Sequence, residues 1–382
     1  MIQISQQDIC TSHHVIDDIA AVGQVWQDLY ARSDEKSVFL HWQWIKQWLT
    51  SLPMSAIIVK ADCNGKCLGL AIFVVKRTWV FPGWPIKQLW LHRVGDDIYD
   101  QIWIEQNDFL LDRDNANIIR QQMIEYVAHR LSWHECFIGL TGEDIMAKFK
   151  GLSVHRRSIL SSPDYVTELN KFKNATDYLG SLSKNTRQQI QRSIKLLEQE
   201  GNLRLQEPQS QEDKQHYFKE MADIHIDKWG KSSFGSGFDN NLFKDFHQKL
   251  VDQGTEKHFV GLWRLSLDQH NLAYIYLLKG KKDWYFYLSA IQTHTDNRIK
   301  IGLVAHHLII EQAIKDNIER YHFLAGEARY KHSLSNHNSP EQQLVCFYKH
   351  HPLLRYREHL RSFKQYVIHK FNEYKGKNAR VY

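Results

Sequence analysis

The sequence predicts an α/β fold of the α+β kind, with mixed, largely antiparallel sheets arranged in two similar units. One observation is length, because 382 residues exceed the size at which a single hydrophobic core usually stops growing. Another is order, because amphipathic helices and then strands in the first part of the chain are followed by the same succession in the second half. A hydrophobic content of 43% supplies enough core for both units.

The first unit begins with helical periodicity and continues with strands. Apolar residues recur at helical spacing around 19–29 and again around 42–49, which predicts two amphipathic helices. Alternating or continuous apolar runs then predict strands at 56–61, 68–75 and 88–91, a helix at 118–127 and a short strand at 136–140.

A two-residue hairpin turn is predicted at 64–65, because Asn-Gly between two apolar runs is the strongest short signal for a hairpin. In that hairpin Cys63 faces Lys66 and Cys67 faces Asp62, so the two cysteines are not opposite each other. The five cysteines of the chain also fit no zinc spacing, since the close pair lacks a second pair that would complete four ligands. We expect neither a disulfide nor a metal site.

The second unit repeats this organisation. A helix is predicted at 182–197 with Ser183 as its N-cap. Further elements are predicted as strands at 258–265, 272–278 and 284–290, a helix at 302–315, and strands at 321–324 and 343–348. The polar stretch 161–176, which contains Pro163, comes closest to a linker. The predicted domains are therefore 1–165 and 166–382.

The chain is predicted to end in a long amphipathic helix. Pro352 suits the first turn of this helix, and Gly376 would cap its end. We expect the apolar side of the helix to pack on the body of the protein, with the Lys and Arg residues outward. The apolar residues recur at intervals of three and four: Leu353, Tyr356, Leu360, Phe363, Val367, Phe371 and Tyr374.

Positive charge is concentrated at the C-terminal end. The formal net charge is +6, and residues 349–382 hold nine Lys or Arg against two Glu, so the rest of the chain is nearly neutral. Such a segment fits either a solvated helix face or an anionic partner such as nucleic acid, a lipid surface or a phosphorylated cofactor. The chain shows no secretory signal pattern, and its longest apolar run is shorter than the roughly twenty residues that cross a bilayer. We expect a cytoplasmic protein.

Reactive side chains follow the predicted strand at 321–324. Gly326 is followed by the carboxylate of Glu327, the phenol of Tyr330 and the ammonium of Lys331. These are the groups that proton transfer and anion binding require. The alternative interpretation is a structural ion pair between Glu327 and Lys331 beside the Gly326 turn.

The predicted helix at 302–315 begins beside two cations. Arg298 and Lys300 precede Gly302 and Leu303, which open the helix. Unpaired amides and the positive end of the helix dipole attract anions such as a pyrophosphate, and glycine lets a phosphate approach the backbone. An ordinary helix N-terminus is the alternative.

Three other residues are candidates for contact with a substrate. Arg187 lies on the polar face of the helix at 182–197, where it could orient an anionic acceptor or remain solvated. Trp229 could line an acceptor pocket or belong to the core. Tyr287 lies in an aromatic strand, where packing on a pleated face is the alternative to ligand stacking.

Three motifs taken together resemble a known family: Trp284-Tyr-Phe-Tyr-Leu-Ser-Ala290, Gly302-Leu303 and Phe323-Leu-Ala-Gly-Glu-Ala-Arg-Tyr-Lys-His-Ser-Leu334. The sequence is similar to acetyltransferase-like proteins of the GNAT superfamily, in particular those related to the cellulose-biosynthesis protein CelD and the Fem peptidoglycan transferases. Supporting motifs are Phe39-Leu-His-Trp-Gln-Trp44 and Ser183-Lys-Asn-Thr-Arg187. The resemblance extends over residues 39–361 and is strongest between 183 and 334.

This resemblance implies two tandem GNAT-like domains, with acetyl-CoA or another acyl-CoA held in the second. Its cofactor-binding residues would be Arg298, Lys300, Gly302 and Leu303. The family places the pyrophosphate on a Gln/Arg-x-x-Gly-x-Gly/Ala loop, and this chain departs from that pattern. Ile299 stands where the family has Gln or Arg, and the second small residue is replaced by a valine, at position 304.

The resemblance also implies direct acyl transfer to an amine or hydroxyl. Glu327 would then be the general base, Tyr330 the proton donor to the leaving thiolate, and Lys331 the group that stabilises developing negative charge. Arg187, Trp229 and Tyr287 would contact the substrate.

The predicted function is that of an acyl-CoA-dependent N- or O-acyltransferase acting on a polysaccharide or cell-envelope precursor. Expected partners are a small-molecule or glycan acceptor and the membrane or envelope-synthesis machinery. Two alternatives stay open: aminoacyl transfer from charged tRNA, as in the Fem proteins, and a catalytically silent interaction module. The basic C-terminal segment would meet the nucleic acid under the tRNA alternative.

Overall fold

The computed structural model describes residues 8–33, 37–230, 235–253 and 259–362, and of residues 338–340 it describes the backbone alone. A helical segment at 352–362, here called the C-terminal helix, ends this description. The other α-helices are α1 (Ile19–Arg32), α2 (Trp42–Ser51), α3 (Ala116–Arg130), α4 (Glu143–Lys148), α5 (Ala175–Ser181), α6 (Lys184–Glu200), α7 (Gln211–Trp229), α8 (Asn241–Asp252), α9 (Ile301–Lys315) and α10 (Arg329–Leu334).

The strands belong to one mixed sheet. In chain order they are β1 (Cys10–Val15), β2 (Ala56–Cys63), β3 (Lys66–Trp79), β4 (Pro85–Leu91), β5 (Leu110–Leu111), β6 (Glu135–Thr141), β7 (Val154–Glu168), β8 (Leu203–Gln206), β9 (Val260–Leu267), β10 (His270–Lys279), β11 (Asp283–Ile291), β12 (Arg320–Ala325) and β13 (His337–Lys349). The spatial order is β1-β2-β3-β4-β6-β13-β7-β12-β11-β10-β9-β8, with β5 beside β3.

Each half of the sheet is built in the same way. Three antiparallel strands are followed by a helix and then by a parallel strand: β2, β3 and β4 with α3 and β6 in the first half, and β9, β10 and β11 with α9 and β12 in the second. A parallel connection needs such a crossover, because the chain must return to the same end of the sheet. The predicted α+β fold with similar, largely antiparallel units is confirmed.

The two halves are joined because a strand of each half pairs with strands of the other half. β7 pairs with β12 and with β13, and β13 in turn pairs with β6. The linker expected at 161–176 is therefore wrong over 161–168, which are part of β7. The middle of β7 is exposed, so it lacks the apolar alternation that marks a strand in sequence. The predicted boundary at 165 falls inside β7, and the domain division stays a prediction.

Helices cover both faces of the sheet. Alternate residues of β2 and β3 point to different cores, as the pleat requires. One face packs on α3 in the first half and on α6 and α9 in the second. On the other face α1 and α2 meet α7 and α8 in one shared core, where the rings of Trp44 and Phe246 are 4.9 Å apart. The two units therefore bury apolar surface against each other.

Local signals in the sequence are reproduced closely. Asn64 and Gly65 have φ angles of 50° and 77°, the values that a tight hairpin turn needs. The register places Cys63 opposite Lys66 and Cys67 opposite Asp62, as predicted. The Ser183 side chain accepts a hydrogen bond from the Thr186 amide, which confirms the predicted N-cap of α6.

The C-terminal helix begins at 352 as predicted and Leu353 is half-buried, but the predicted burial of Tyr356 and Leu360 is wrong. Tyr356 and Leu360 are 56% and 44% exposed. The face turned inward carries Leu354, which is fully buried, and Arg357, which forms an ion pair with buried Glu135. An ion pair inside the fold thus sets the helix rotation. Phe363, Val367, Phe371, Tyr374 and Gly376 lie outside the described residues.

Within the described ranges, no helix combines the length and the apolar character needed to cross a membrane.

Candidate active site

A wedge opens in the sheet between β11 and β12. These strands pair only from Asp283–Arg320 to Tyr285–His322, yet β11 continues to 291 and β12 to 325. Each strand shifts register against its other neighbour beyond that point, which leaves Tyr287 and Phe323 as extra residues. Because such bulges bend and twist a strand, the two strands diverge. A cavity adjoins the wedge on each side.

The first cavity, here called the α9 cavity, measures about 810 Å³. It lies between the start of α9, the end of β11 and the first turn of α6. Ligand pockets typically measure about 300–1,000 Å³, so this cavity has room for a small molecule. Its lining includes Asn185, Thr186, Gln189, Trp229, Ile291, Lys300, Ile301, Gly302, Leu303, His306, Arg329 and Tyr330.

The start of α9 is suited to an anion. No described residue accepts a hydrogen bond from the amides of Ile301, Gly302 or Leu303, and the helix has no side-chain cap. Free amides and the helix dipole together make a positive site. A Cβ on Gly302 would come within 3.1 Å of the Ile291 side chain, so the glycine allows the helix start to approach β11 closely. The sequence prediction of open amides at this position is confirmed.

The predicted cations occupy different environments. Arg298 binds Asp296 through two nitrogens, at 2.9 and 2.7 Å, and does not line the α9 cavity. Ile299 is buried in the core. Lys300 is exposed on the wall of the α9 cavity, and its amide donates to Ser193 Oγ at 2.9 Å. The structure therefore brings Lys300, and not Arg298, to the free amides.

Tyr330 lines the α9 cavity next to the wedge. Its ring stacks on His306 with 5.3 Å between centroids and 14° between planes. Burial raises the pKa of the Tyr330 hydroxyl, so this group keeps its proton at neutral pH. Burial lowers the pKa of His306 to about 3, and the neutral ring binds the Tyr321 hydroxyl at 3.0 Å. Tyr330 therefore presents a protonated hydroxyl, a hydrogen-bond donor, to the cavity.

The second cavity, here called the interunit cavity, measures about 1350 Å³ and lies on the other side of the wedge. The second unit contributes Tyr287 and Leu288 of β11, the end of β12 at 323–325, and Lys331. The first unit contributes Arg93, Asp100 and Glu105, among others. Consecutive residues of α10 thus serve different cavities, Tyr330 the α9 cavity and Lys331 the interunit cavity. β11 and α10 contribute residues to both cavities.

Two buried charges hold the end of β12 within this wedge. The Glu105 carboxylate accepts a hydrogen bond from the Ala325 amide at 2.7 Å, and the Lys331 ammonium donates to the Ala325 carbonyl at 2.6 Å. Lys331 also donates to the Leu324 carbonyl at 3.3 Å. Leu324 has a φ of 61°, a left-handed conformation that costs free energy in a branched residue. The charges therefore support a strained backbone segment.

The electrostatics of this cluster favour proton exchange near neutral pH. Burial raises the pKa of Glu105 to about 7, although the Ala325 amide and Lys331 oppose this rise. Burial also raises the pKa of nearby Asp164, which accepts a hydrogen bond from Gln106 at 3.1 Å. Burial lowers the pKa of Lys331, against the attraction of both carboxylates. Glu105 therefore titrates where a general base is effective.

Sequence reasoning did not find Glu105 or Asp164. Glu105 lies in a loop of the first unit, and Asp164 lies in β7, which the sequence suggested as a linker. Nothing in the local spacing connects either residue with Lys331. Glu327, the base predicted from sequence, is exposed and lines neither cavity. The buried carboxylates beside Lys331 are Glu105 and Asp164 instead.

The predicted substrate-binding residues are dispersed. Arg187 donates to the carbonyls of Gly180 at 3.0 Å and Leu182 at 3.4 Å, and so closes the end of α5. Trp229 is 45% exposed and lines the α9 cavity. Tyr287 lines the interunit cavity, and its hydroxyl donates to the Ile102 carbonyl at 2.5 Å, which ties the two units together.

Comparison with known proteins agrees with this architecture. Residues 184–332 match the family model described as an acetyltransferase (GNAT) domain. This range contains α6, the wedge, the α9 cavity lining and most of α10, whereas Glu105 and Asp164 lie outside it. No curated protein matches the chain in sequence.

Solved structures share the fold at low identity. The crystal structure of FemX aligns with a TM-score of 0.58 and 10% identity, covering 88% of this chain and 97% of that chain. A C-terminal (DUF2156) domain from Agrobacterium fabrum, assigned to a lysylphosphatidylglycerol synthetase, gives a TM-score of 0.52 and 9% identity, covering 86% and 92%. A protein of unknown function from Bacteroides thetaiotaomicron gives 0.52 and 10%, covering 86% and 97%. At these identities the likeness establishes the fold alone.

The family match and the geometry concern the same part of the chain. The matched residues carry the diverging strands, the open start of α9 and the tyrosine at the wedge. Residues 184–332, less than half of the chain, match an acetyltransferase (GNAT) domain, which supports an acyltransferase, and the fold of the whole chain is similar to that of FemX.

Proposed function

We propose that the protein transfers an acyl group from acyl-CoA to an amine or hydroxyl of a cell-envelope or polysaccharide precursor. The observation that carries this proposal is the open start of α9, where three amides without acceptors face a cavity of about 810 Å³ beside the wedge. A pyrophosphate suits that position, because helix N-termini bind phosphate groups through free amides. A cytoplasmic location goes with this proposal.

The α9 cavity fits acyl-CoA in its chemistry. The amides of 301–303 and the Lys300 ammonium would hold the pyrophosphate, with Lys300 in place of the cation that the family pattern puts one residue earlier. The exposed Trp229 ring and the Ile291 side chain offer apolar surface to the rest of the molecule. When bound, acyl-CoA supplies a thioester carbonyl that is open to attack by a nucleophile.

Glu105 is the general base in this proposal. It lines the interunit cavity, is held by the Ala325 amide, and has a pKa of about 7, so a large fraction is ionised at neutral pH. Its carboxylate takes the proton that the acceptor nitrogen or oxygen must lose. The Tyr330 hydroxyl provides a proton for the leaving sulfur from the other side of the wedge. The exposed position of Glu327 favours Glu105 over it.

The interunit cavity is the proposed acceptor site. Its lining contains more carboxylates than cations, with Asp97, Asp100, Glu105 and Asp239 against Arg93 and Lys331. One carboxylate is already paired, since Arg93 binds Asp100 at 3.2 Å. The remaining negative charge attracts a protonated amine. An amine acceptor is therefore favoured over a hydroxyl, and an amino sugar of an envelope precursor has this chemistry.

A second candidate is aminoacyl transfer from charged tRNA. The likeness to FemX and the excess of nine cations over two Glu at 349–382 favour it. This reaction also needs the wedge and a base, so the geometry around Glu105 does not separate the candidates. The two candidates differ in the donor that binds the α9 cavity, which is acyl-CoA in the first and charged tRNA in the second.

Thermal denaturation in the presence of each donor tests the proposal. Selective binding to the folded state raises stability by mass action, by about 2.7 kcal/mol at a ligand concentration of one hundred times Kd. We expect acetyl-CoA or a longer acyl-CoA to raise the melting temperature, and tRNA to leave it unchanged. A shift with tRNA alone would support the second candidate. No shift with any donor would indicate a catalytically silent module.

A further inference from the structure

Aromatic side chains are exposed together at one end of the sheet, far from the wedge. The loop between β3 and β4 presents Trp79 and Trp84, which are 62% and 46% exposed. The C-terminal helix packs beside this loop, with the ring of Tyr356 6.2 Å from that of Phe81. Tyr356 and Leu360 of the same helix are also exposed. We call this surface, formed by Trp79, Phe81, Trp84, Tyr356 and Leu360, the aromatic end.

Cations border the aromatic end without carboxylates to neutralise them. Arg77 and Lys87 lie directly opposite each other on β3 and β4, two pairs before Trp79 and Pro85. Like charges in such a position destabilise a strand pair, which makes a bound anion favourable there. Residues 76–87 contain three cations and no Asp or Glu. Arg355 of the C-terminal helix is exposed and makes no ion pair with a described carboxylate.

The order of these groups along the hairpin matches the layers of a membrane surface. The cations come at the base, and Trp79 lies two residues farther out, about 7 Å towards the tip. A bilayer presents anionic phosphates first and the aromatic-binding interface below them. Trp and Tyr favour that interface, while Lys and Arg favour anionic headgroups.

We propose that the aromatic end binds the surface of a membrane that contains anionic lipids. The hairpin tip enters the interface, and the Arg77–Lys87 pair together with Arg355 contacts lipid phosphates. By sequence, residues 363–382 add five cations and one Glu to the same end of the chain.

This docking leaves the active site accessible. β4 runs away from the tip from Pro85 to Leu91, about 20 Å, before the chain reaches Arg93 in the lining of the interunit cavity. The cavity thus lies well above the membrane plane. Membrane binding through the hairpin and the helix does not depend on which acyl donor the α9 cavity holds.

Co-sedimentation of the full chain with lipid vesicles tests the proposal. We expect binding to vesicles of phosphatidylcholine with one quarter phosphatidylglycerol, and weak binding to phosphatidylcholine alone. Raising the salt concentration should weaken the binding, because exposed charges are screened. Equal binding to both vesicle types, or no binding to either, would overturn the proposal.

Matched variants separate the aromatic and the charge contributions. Trp79→Ser with Trp84→Ser, and separately Arg77→Glu with Arg355→Glu, should each lower the partition coefficient at least about tenfold. Two control variants make the same kinds of substitution at exposed sites outside the aromatic end. Lys173→Glu with Lys195→Glu repeats the charge change on exposed sites, and Val15→Ser with Ile159→Ser removes exposed apolar side chains. Both controls should bind vesicles like the unmodified chain.

Two further measurements identify other causes. The melting temperature and its shift with acetyl-CoA are recorded for every variant, so that a loss of folding or of donor binding is seen separately from a loss of vesicle binding. Sedimentation velocity and binding to single-stranded RNA are measured in parallel. If the chain forms a dimer that the double Trp variant abolishes, the aromatic end is a dimer interface and the proposal is overturned. If the chain binds RNA and not vesicles, the aromatic end is an RNA-binding surface and the proposal is likewise overturned.

Discussion

Glu105 and Lys331, one from each unit, bind the same residue from opposite sides. The Glu105 carboxylate accepts from the Ala325 amide at 2.7 Å, and the Lys331 ammonium donates to the Ala325 carbonyl at 2.6 Å. The backbone at the wedge therefore depends on a carboxylate from outside the GNAT-matched range. This relationship makes the first unit a direct contributor to the candidate active site.

Replacing Glu105 with glutamine should abolish most turnover and leave donor binding intact. The variant keeps an acceptor for the Ala325 amide but loses the base, and general bases contribute about 10²–10⁴ in rate. Release of thiol from acetyl-CoA with glucosamine as a test amine measures turnover, and calorimetry measures affinity. Glu327→Gln is the matched control and should keep turnover. If Glu105→Gln keeps turnover and Glu327→Gln loses it, Glu327 is the base.

The same Glu105→Gln change should stabilise the protein at high pH. The pKa of Glu105 is about 7 in the folded state against an ordinary value of 4.5, so the folded state holds this proton more tightly than the unfolded state. Protonated Glu105 therefore makes its full contribution to the free energy of unfolding below about pH 4.5. This contribution is lost as the pH rises through 7 and the carboxyl ionises in the folded state. We expect a gain of about 3 kcal/mol at pH 8, which vanishes near pH 4.5. Urea denaturation at both pH values measures it, and a loss of stability at pH 8 would contradict this account.

Replacing Lys331 with methionine should move the pH dependence of activity. The positive charge opposes the burial-driven rise in the pKa of Glu105, so its removal raises that pKa further. We expect the acid limb of kcat/KM against pH to shift upward by about one unit. Lys331→Arg keeps the charge and should shift the limb less. An unchanged limb in the methionine variant would mean that Lys331 does not act on the base.

Removing one free amide at the start of α9 should weaken acyl-CoA binding. Gly302→Pro deletes the amide without breaking a helical hydrogen bond, because proline is tolerated in the first turn. Gly302→Ala adds a Cβ near Ile291 but keeps the amide, and so controls for the change in shape. We expect about tenfold weaker binding for proline than for alanine, since a hydrogen bond to a charged group contributes about 1.5–3 kcal/mol. If calorimetry gives equal acyl-CoA affinities for the proline and alanine variants, the pyrophosphate does not bind at the start of α9.

Elements with short-range signals could be predicted well. The hairpin at 64–65, the N-cap at Ser183 and the helix start near Gly302 each depend on a few neighbouring residues, and each is found in the structure. The fold class followed from the same kind of signal repeated along the chain. Local propensity and periodicity are sufficient for such features, because the interactions that form them lie within one turn or one strand pair.

Other features depended on contacts between distant parts of the chain. β7 is a central strand despite its polar middle, because β12 and β13 supply its partners. The C-terminal helix exposes Tyr356 because Arg357 pairs with Glu135 inside the fold.

The sequence alone was sufficient to identify the GNAT-type fold, the open start of α9 and the position of Tyr330 and Lys331 just beyond a strand end. It did not show that Lys331 meets Glu105 and Asp164, or that Arg298 binds Asp296 and leaves Lys300 at the cavity. The pKa of Glu105 depends on burial that arises only when the two units pack together. Burial and charge proximity are properties of the assembled fold, so no local spacing in the sequence encodes them.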